Sequence, residues 1–300
     1  MIEGFKIPLV RFAGAQLPAS DDLNKNINDI KDAISWASTN NVDYLLTPEG
    51  SLSGYFPGFD TYQGRTIQDL YDAEKAVVNF AVKNNVGLCL GTMWGEIDEA
   101  LDEGYRKENQ IRFYSKAGTF LGSTNKTYII PEYDQTMPSE INIINVEHDI
   151  HNFWAAGLIC NDFWGGPLSN KMALPIYVKE QLNAQVIFHA TNGFKGELPV
   201  YDEITEAWHE GNLRMMSFIT GVPIITVDSC YTMNGYPYDG NTSSQSGILL
   251  NGVWQVKAPR TGIQYFYHDF DHSALINNIL GTHPDQDILD SNPLIQGSTA

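Results

Sequence analysis

Twice along the chain, short apolar runs alternate with stretches whose apolar residues recur at helical spacing, and no Pro/Gly/Ser-rich linker separates the two halves. This doubled alternation constrains the fold more than any other feature, because every run must bury its apolar face against another layer. In the first half, a strand over Leu9 to Ala15 precedes Ser20, which can cap a helix carrying Leu23, Ile27, Ile30, Ile34 and Ala37 on one face. Tyr44 to Leu46 reads as a buried strand. Leu70, Ala73, Val77, Phe80 and Ala81 mark a second helix, and Val86 to Met93 a further strand. Gln110 to Tyr114 and Thr119 to Leu121 flank the turn Lys116-Ala117-Gly118 and predict a hairpin.

The second half repeats the theme. Phe153 to Cys160 is a strand, Lys171 to Leu182 a helix and Gln185 to Ala190 a strand. A helix follows over Glu203 to Phe218, with Trp208, Leu213 and Met216 as inward residues, then a strand over Pro223 to Val227. Ile248 to Val256 folds back at Asn251-Gly252, a strong hairpin signal, and Gly262 to Phe270 completes the sheet. The expected architecture is α/β: two sheets with helices outside, a four-layer αββα sandwich. Residues 1–282 read as one domain and 283–300 as a polar, extended tail.

Composition narrows the partners. At 43% hydrophobic and 18% charged, the 300 residues can bury a sizeable core, which excludes disorder over most of the length. A net charge of −18 repels phosphate backbones and anionic lipid surfaces, so neither nucleic acid nor membrane is an expected partner. No run approaches the roughly 20 apolar residues of a membrane span. The opening MIEGFKIPLV carries an early acid and does not read as a secretory signal. Three scattered cysteines, Cys89, Cys160 and Cys230, argue against a disulfide framework and for a reducing cytoplasm.

Nucleotide fingerprints are missing: no GxGxxG opens a helix and no GxxxxGK[ST] occurs. In Gly50-Ser51-Leu52-Ser53-Gly54, Leu52 stands where a GxSxG elbow needs its serine. His148 and His151 are three apart without HExxH or CxxC, so neither metal nor cofactor is expected. What remains are polar residues at strand ends. Cys160 closes the apolar run from Trp154 and is followed by Asn161-Asp162 and Gly165-Gly166-Pro167. The carboxyl ends of parallel strands gather active sites in α/β folds, so this cysteine is placed as a nucleophile. A buried core cysteine is the competing reading, and spacing alone leaves both open. Cys89 and Cys230 fit the core reading. Glu49 follows Pro48 at the end of the Tyr44 to Leu46 strand, and Lys126 lies just beyond the hairpin. Taken singly, either could be a solvated charge.

Together they carry a resemblance. YLLTPEGSLSGYFPG (44–58), NKTYIIPEYD (125–134) and AAGLICND (155–162) resemble, in order and separation, the glutamate, lysine and cysteine motifs of the carbon–nitrogen hydrolase (nitrilase) superfamily. Their motifs are most similar to its amidase and N-carbamoyl amidohydrolase branches. The resemblance implies a cofactor-free thiol hydrolase in which Glu49 is the general base, Lys126 the cation beside a tetrahedral oxyanion and Cys160 the nucleophile. It places a second glutamate at Glu140, with Glu132 as its rival. A lysine beside a cysteine favours the thiolate, and Lys126 with the Asn161 backbone N–H could hold the oxyanion. Candidate pocket walls are Tyr55, Tyr133, Phe163, Trp164, His189 and Asn192.

The departures bear on substrate. Phe163-Trp164-Gly165-Gly166-Pro167 replaces a Phe-Pro-Glu-like segment, and the span from Glu140 to Cys160 lacks a Pro-Gly-Asp step. Cys160-Asn161-Asp162 differs from the Cys-Trp-Glu of nitrilases, which favours an amide or N-carbamoyl substrate over a nitrile. Arginines that hold a carboxylate in the carbamoyl branch are Phe163 and Trp164 here. An anionic substrate would need another cation, Arg65 or Arg214, so a neutral or aromatic-tolerant small molecule is expected. A nitrile-hydrolysing enzyme and a scaffold relative without turnover are the alternatives. By resemblance, the chain assembles as a homodimer or larger homo-oligomer through a helix face.

Overall fold

A computed structural model of the chain describes residues 9–55, 66–93, 108–129, 141–148, 152–164, 173–193, 199–230, 242–271 and 275. In the first half, β1 (Leu9–Gln16), β2 (Tyr44–Leu46) and β3 (Gly87–Thr92) lie parallel, connected through α1 (Leu23–Thr39) and α2 (Ile67–Lys83). The cap expected at Ser20 is supplied by Asp22, whose carboxylate accepts the backbone N–H groups of Asn24 and Lys25. The Ser20 hydroxyl instead donates to Asn26 Oδ1. α2 starts with a capping box between Thr66 and Asp69. β4 (Gln110–Tyr114) and β5 (Phe120–Asn125) form the expected hairpin, with β5 running four residues beyond Leu121.

The second sheet contains β6 (Ile143–Val146), β7 (Phe153–Ile159), β8 (Val186–Thr191), β9 (Ile224–Asp228), β10 (Gly247–Leu250) and β11 (Val253–Lys257). Of these, β7, β8 and β9 are parallel. A single turn, α3 (Asn161–Trp164), follows β7, and α4 (Leu174–Glu180) and α5 (Pro199–Thr220) lie on the helix side. At the β10–β11 turn, Asn251 and Gly252 have φ of 52° and 74°, both positive as a type I′ hairpin requires. β6 was not marked by the sequence: four residues at a sheet edge leave too short an alternation.

The last strand, β12 (Gln264–Asp271), does not complete the second sheet. It pairs antiparallel with β1, giving the orders β12-β1-β2-β3-β4-β5 and β11-β10-β9-β8-β7-β6. Its Phe266 lies over Gly14, where an added Cβ would come within 2.5 Å of the ring, and Phe270 sits against Phe12. The two sheets meet through edge-to-face rings: Phe12 with Phe153 at 5.2 Å and with Phe188 at 5.5 Å, and Phe113 with Phe188 at 5.9 Å. Each of these fully buried rings contributes about 2–3 kcal/mol relative to exposure. Ile30, Ile34 and Val77 cover the outer face of the first sheet, and Val178, Leu213 and Met216 that of the second. The result is the four-layer αββα sandwich. Among the described residues no helix is long and apolar enough to cross a membrane.

Candidate active site

β7 ends at Ile159 and the chain turns sharply. Cys160 has φ of 49°, a left-handed conformation that costs a non-glycine residue about 1–2 kcal/mol. Hydrogen bonds hold it there. The Cys160 N–H donates to the Ala190 carbonyl of β8 at 2.9 Å, and the Phe163 N–H donates to the Cys160 carbonyl at 3.1 Å. Asp162, fully buried, accepts the Ile159 N–H at 3.2 Å. The same carboxylate accepts the N–H groups of Thr127 at 3.0 Å and Tyr128 at 2.7 Å. Asp162 therefore clamps the segment beyond Lys126 onto the cysteine turn. Burial lifts its carboxyl from 3.8 to about 6, against the opposing pull of those backbone donors and of Lys126. Cys160 Sγ lies 3.9 Å from Asn161 Oδ1, which also accepts from Trp164 Nε1 at 3.2 Å.

Glu49 stands on a tight turn after β2. The turn crosses β3 so closely that a Cβ on Gly91 would fall 1.9 Å from the Pro48 carbonyl oxygen, and Gly50 supplies a φ of 67°. Glu49 Oε1 accepts from Lys126 Nζ at 3.0 Å and from Asn109 Nδ2 at 2.6 Å, while Oε2 accepts the Asn192 N–H at 2.8 Å. Both side chains of the Glu49–Lys126 ion pair are fully buried. The Lys126 N–H donates to the Asn109 carbonyl at 2.8 Å, so the two ends of the β4–β5 hairpin both address Glu49. Glu49, Lys126 and Cys160 thus come from three separate strand ends that bond to one another: Glu49 through β8, Lys126 directly, and the cysteine turn through Asp162 and Ala190.

The other expected residues divide. Asn192 reaches Glu49 with its backbone N–H and also with Nδ2, 3.4 Å from the Glu49 carbonyl. Tyr55 is buried with Ala19 and Met93. Phe163, Trp164 and His189 form a cluster of tilted and edge-to-face rings that continues to Trp208 and His209 of α5, with Phe163–His189 at 4.5 Å and Trp164–His209 at 4.5 Å. Glu140, Glu132, Tyr133 and Arg65 lie outside the described residues. Arg214 does not serve as a substrate cation: its Nε donates to the Gly252 carbonyl at the β10–β11 turn. That turn follows Leu249, which pairs with Ile224 at the start of β9, whereas the site lies at the strand's far end.

Three residues escaped the sequence reading. Asn109 precedes β4 with no local pattern to mark it. Asp162 was visible in the cysteine segment but had no assigned task. Asp228, at the end of β9, accepts Gly193 N–H at 3.0 Å, Ser244 N–H at 2.7 Å and the Ser243 hydroxyl at 2.8 Å, and so ties Gly193, next to Asn192, to Ser243 and Ser244. Among the described residues no three His, Cys, Asp or Glu gather as a metal centre.

A family model described as carbon-nitrogen hydrolase matches residues 11–280. A solved mutant of the Nesterenkonia AN1 amidase from the nitrilase superfamily is 17% identical, with a TM-score of 0.68 over 93% of this chain and 96% of that one. A mutant of the same amidase from Nesterenkonia sp. AN1 in complex with butyramide is 18% identical, with a TM-score of 0.67 over 89% of this chain and 93% of that one. These likenesses show the fold. A curated protein, the photosystem I P700 chlorophyll a apoprotein A1 of Synechococcus sp. (strain JA-3-3Ab), is 28% identical over 109 residues, 34% of this chain. The chain spans only 14% of that relative's length, and the match carries no argument about activity. The family match runs through both sheets and all three strand ends of the site, and the chain belongs to the carbon–nitrogen hydrolase family.

Proposed function

We propose that the protein is an amidase that hydrolyses a small, neutral amide or N-carbamoyl compound through a thioester on Cys160. The observation that carries this reading is the buried Glu49–Lys126 pair, tied through Asp162 and β8 to a cysteine in a strained left-handed turn. Strain of this kind persists where the surroundings over-determine it, which favours a functional turn over a core thiol. Cys160 Sγ attacks the carbonyl carbon while Glu49 takes the thiol proton. The oxyanion meets Lys126 Nζ and the Asn161 N–H, the donors such a charge needs in a dry site. Collapse breaks the carbon–nitrogen bond, and Glu49 returns the proton to the departing amine, which for a primary amide leaves as ammonia. Water then attacks the thioester and gives a proton to Glu49, and release of the acid restores the thiol. Glu140, or Glu132 in its place, orients Lys126 or the water. The bulky Phe163 and Trp164 after Cys160-Asn161-Asp162 favour an uncharged substrate.

The test is ammonia release and intact-mass detection of an acyl adduct, with butyramide and a panel of amides, carbamoyl compounds and nitriles. Cys160→Ala should abolish both while far-UV circular dichroism stays unchanged. Absence of any adduct at Cys160 across the panel would leave the scaffold reading, and a nitrile-only adduct the nitrilase reading. We take residues 1–282 as one domain, supported by the match over 11–280, with 283–300 as its tail. The exposed Ile204, Met215 and Phe218 of α5 support association with a second copy of the chain, to be checked by sedimentation at micromolar concentration. Three free thiols support a reducing, cytoplasmic setting.

A further inference from the structure

His189 performs no step in the reaction above, yet it is fully buried directly behind the nucleophile. Successive side chains of a strand point to opposite faces. Phe188 meets Phe12 and Phe113 of the first sheet, so His189 faces the helix side, where it packs against the tilted ring of Phe163 and edge-to-face with Trp164. Its Nε2 lies 3.4 Å from the Cys160 carbonyl oxygen, and its Nδ1 lies 2.9 Å from Thr226 Oγ1. A carbonyl oxygen only accepts, so Nε2 carries the proton and Nδ1 accepts from the Thr226 hydroxyl. Burial holds the imidazole neutral, with its pKa pushed down to about 3. This donor therefore keeps one form throughout the neutral range.

The carbonyl it holds belongs to the peptide that ends in the Asn161 N–H. The described residues contain no cis peptide bond, and in a planar trans peptide the C=O and N–H point in opposite directions. We propose that His189 is a positioning residue: it anchors the Cys160 carbonyl on the helix side and so aims the Asn161 N–H at the developing oxyanion. Phe163 N–H shares the same carbonyl from within its own turn, whereas His189 ties that carbonyl to β8 and, through Thr226, to β9. The inference rests on the reading of Cys160 as the acylated nucleophile.

The test compares two reactions of one thiol. Acylation by p-nitrophenyl acetate forms an oxyanion before p-nitrophenolate leaves. Alkylation by iodoacetamide displaces iodide at a saturated carbon and forms none. His189→Leu should lower the ratio of acylation to alkylation rates by about 10- to 100-fold, up to the loss typical of removing one oxyanion donor. His189→Gln, whose amide can donate to the carbonyl and accept from Thr226, should restore the ratio to within about threefold of wild type, since it supplies the same pair of hydrogen bonds. Equal slowing of both reactions in His189→Leu, with the ratio unchanged, would mean a merely structural role and overturns the proposal. Should the leucine variant fail to fold, Thr226→Val, which frees the tautomer, must lower the ratio, and an unchanged ratio there overturns it equally. A wild-type protein that alkylates but never acylates at Cys160 overturns the amidase reading and this inference with it. Normal wild-type acylation with an unchanged variant ratio removes only the inference.

Discussion

Replacing Lys126 by methionine removes a buried cation and keeps most of its volume. At 3.0 Å from Glu49 Oε1, with both side chains fully buried, the pair attraction is about 5–6 kcal/mol at an effective dielectric constant near 20. The remaining donors to Glu49, Asn109 Nδ2 and the Asn192 N–H, hold part of the orphaned charge. Lys126→Met should therefore cost about 3–5 kcal/mol, the usual loss when a buried pair is broken from one side. Glu49→Gln/Lys126→Met, in which no charge is stranded, should recover a large part of that. Urea unfolding of wild type, both single variants and the double variant closes the cycle, and a coupling of about 2–3 kcal/mol is expected for groups in direct contact. Additivity within about 0.5 kcal/mol would show that the two charges do not depend on each other, and would refute both the stability argument and the electrostatic core of the site. Lys126→Met should also abolish acylation at Cys160, whatever its stability.

Three further outcomes follow from the geometry. Cys160→Gly should unfold at higher urea than Cys160→Ala by about 1 kcal/mol, since only glycine tolerates the φ of 49° without cost; equal midpoints would deny the strain. Gly91→Ala must displace the Pro48 carbonyl that an added Cβ would meet at 1.9 Å. A shift of that order at Glu49 should lower turnover about 100-fold, and full activity would contradict the close crossing. Asp162 holds its proton more tightly in the fold, near 6, than the ordinary 3.8, so its contribution to stability is complete below about pH 4 and declines as pH rises through 6. The stability gap between wild type and Asp162→Asn should accordingly narrow between pH 4 and pH 7, by at most about 3 kcal/mol, and a gap that widens would refute the sign.

Much of this protein was legible in the order of its residues. Period and turn chemistry marked β1, β2, both hairpins and α1, α2 and α5, because face alternation and helical spacing are local consequences of which side chains must leave water. Glu49, Lys126 and Cys160 stood out only together, through three motifs that resemble those of the carbon–nitrogen hydrolases, because each alone reads as well as a solvated charge or a core thiol. The cap at Asp22 in place of Ser20 was a near miss within one turn of chain.

Other features are set by contacts between residues far apart in the chain. β12 joins β1 and not the second sheet because Phe266 and Phe270 fill the space over Gly14 and beside Phe12, a fit that no window around residue 266 contains. Asn109 looks like an ordinary residue before a strand, and only the return of the hairpin brings its amide to Glu49. Asp162 reads as one acid among 36 Asp and Glu until its carboxylate is seen gathering N–H groups from Thr127, Tyr128 and Ile159. The sequence by itself determined the layers, since burial preference acts on each segment alone, and three motifs read together singled out Glu49, Lys126 and Cys160 as candidate site residues. Tertiary structure alone decided how they are held together, since a buried charge or a left-handed turn is tolerable only when distant backbone groups are already in place to meet it.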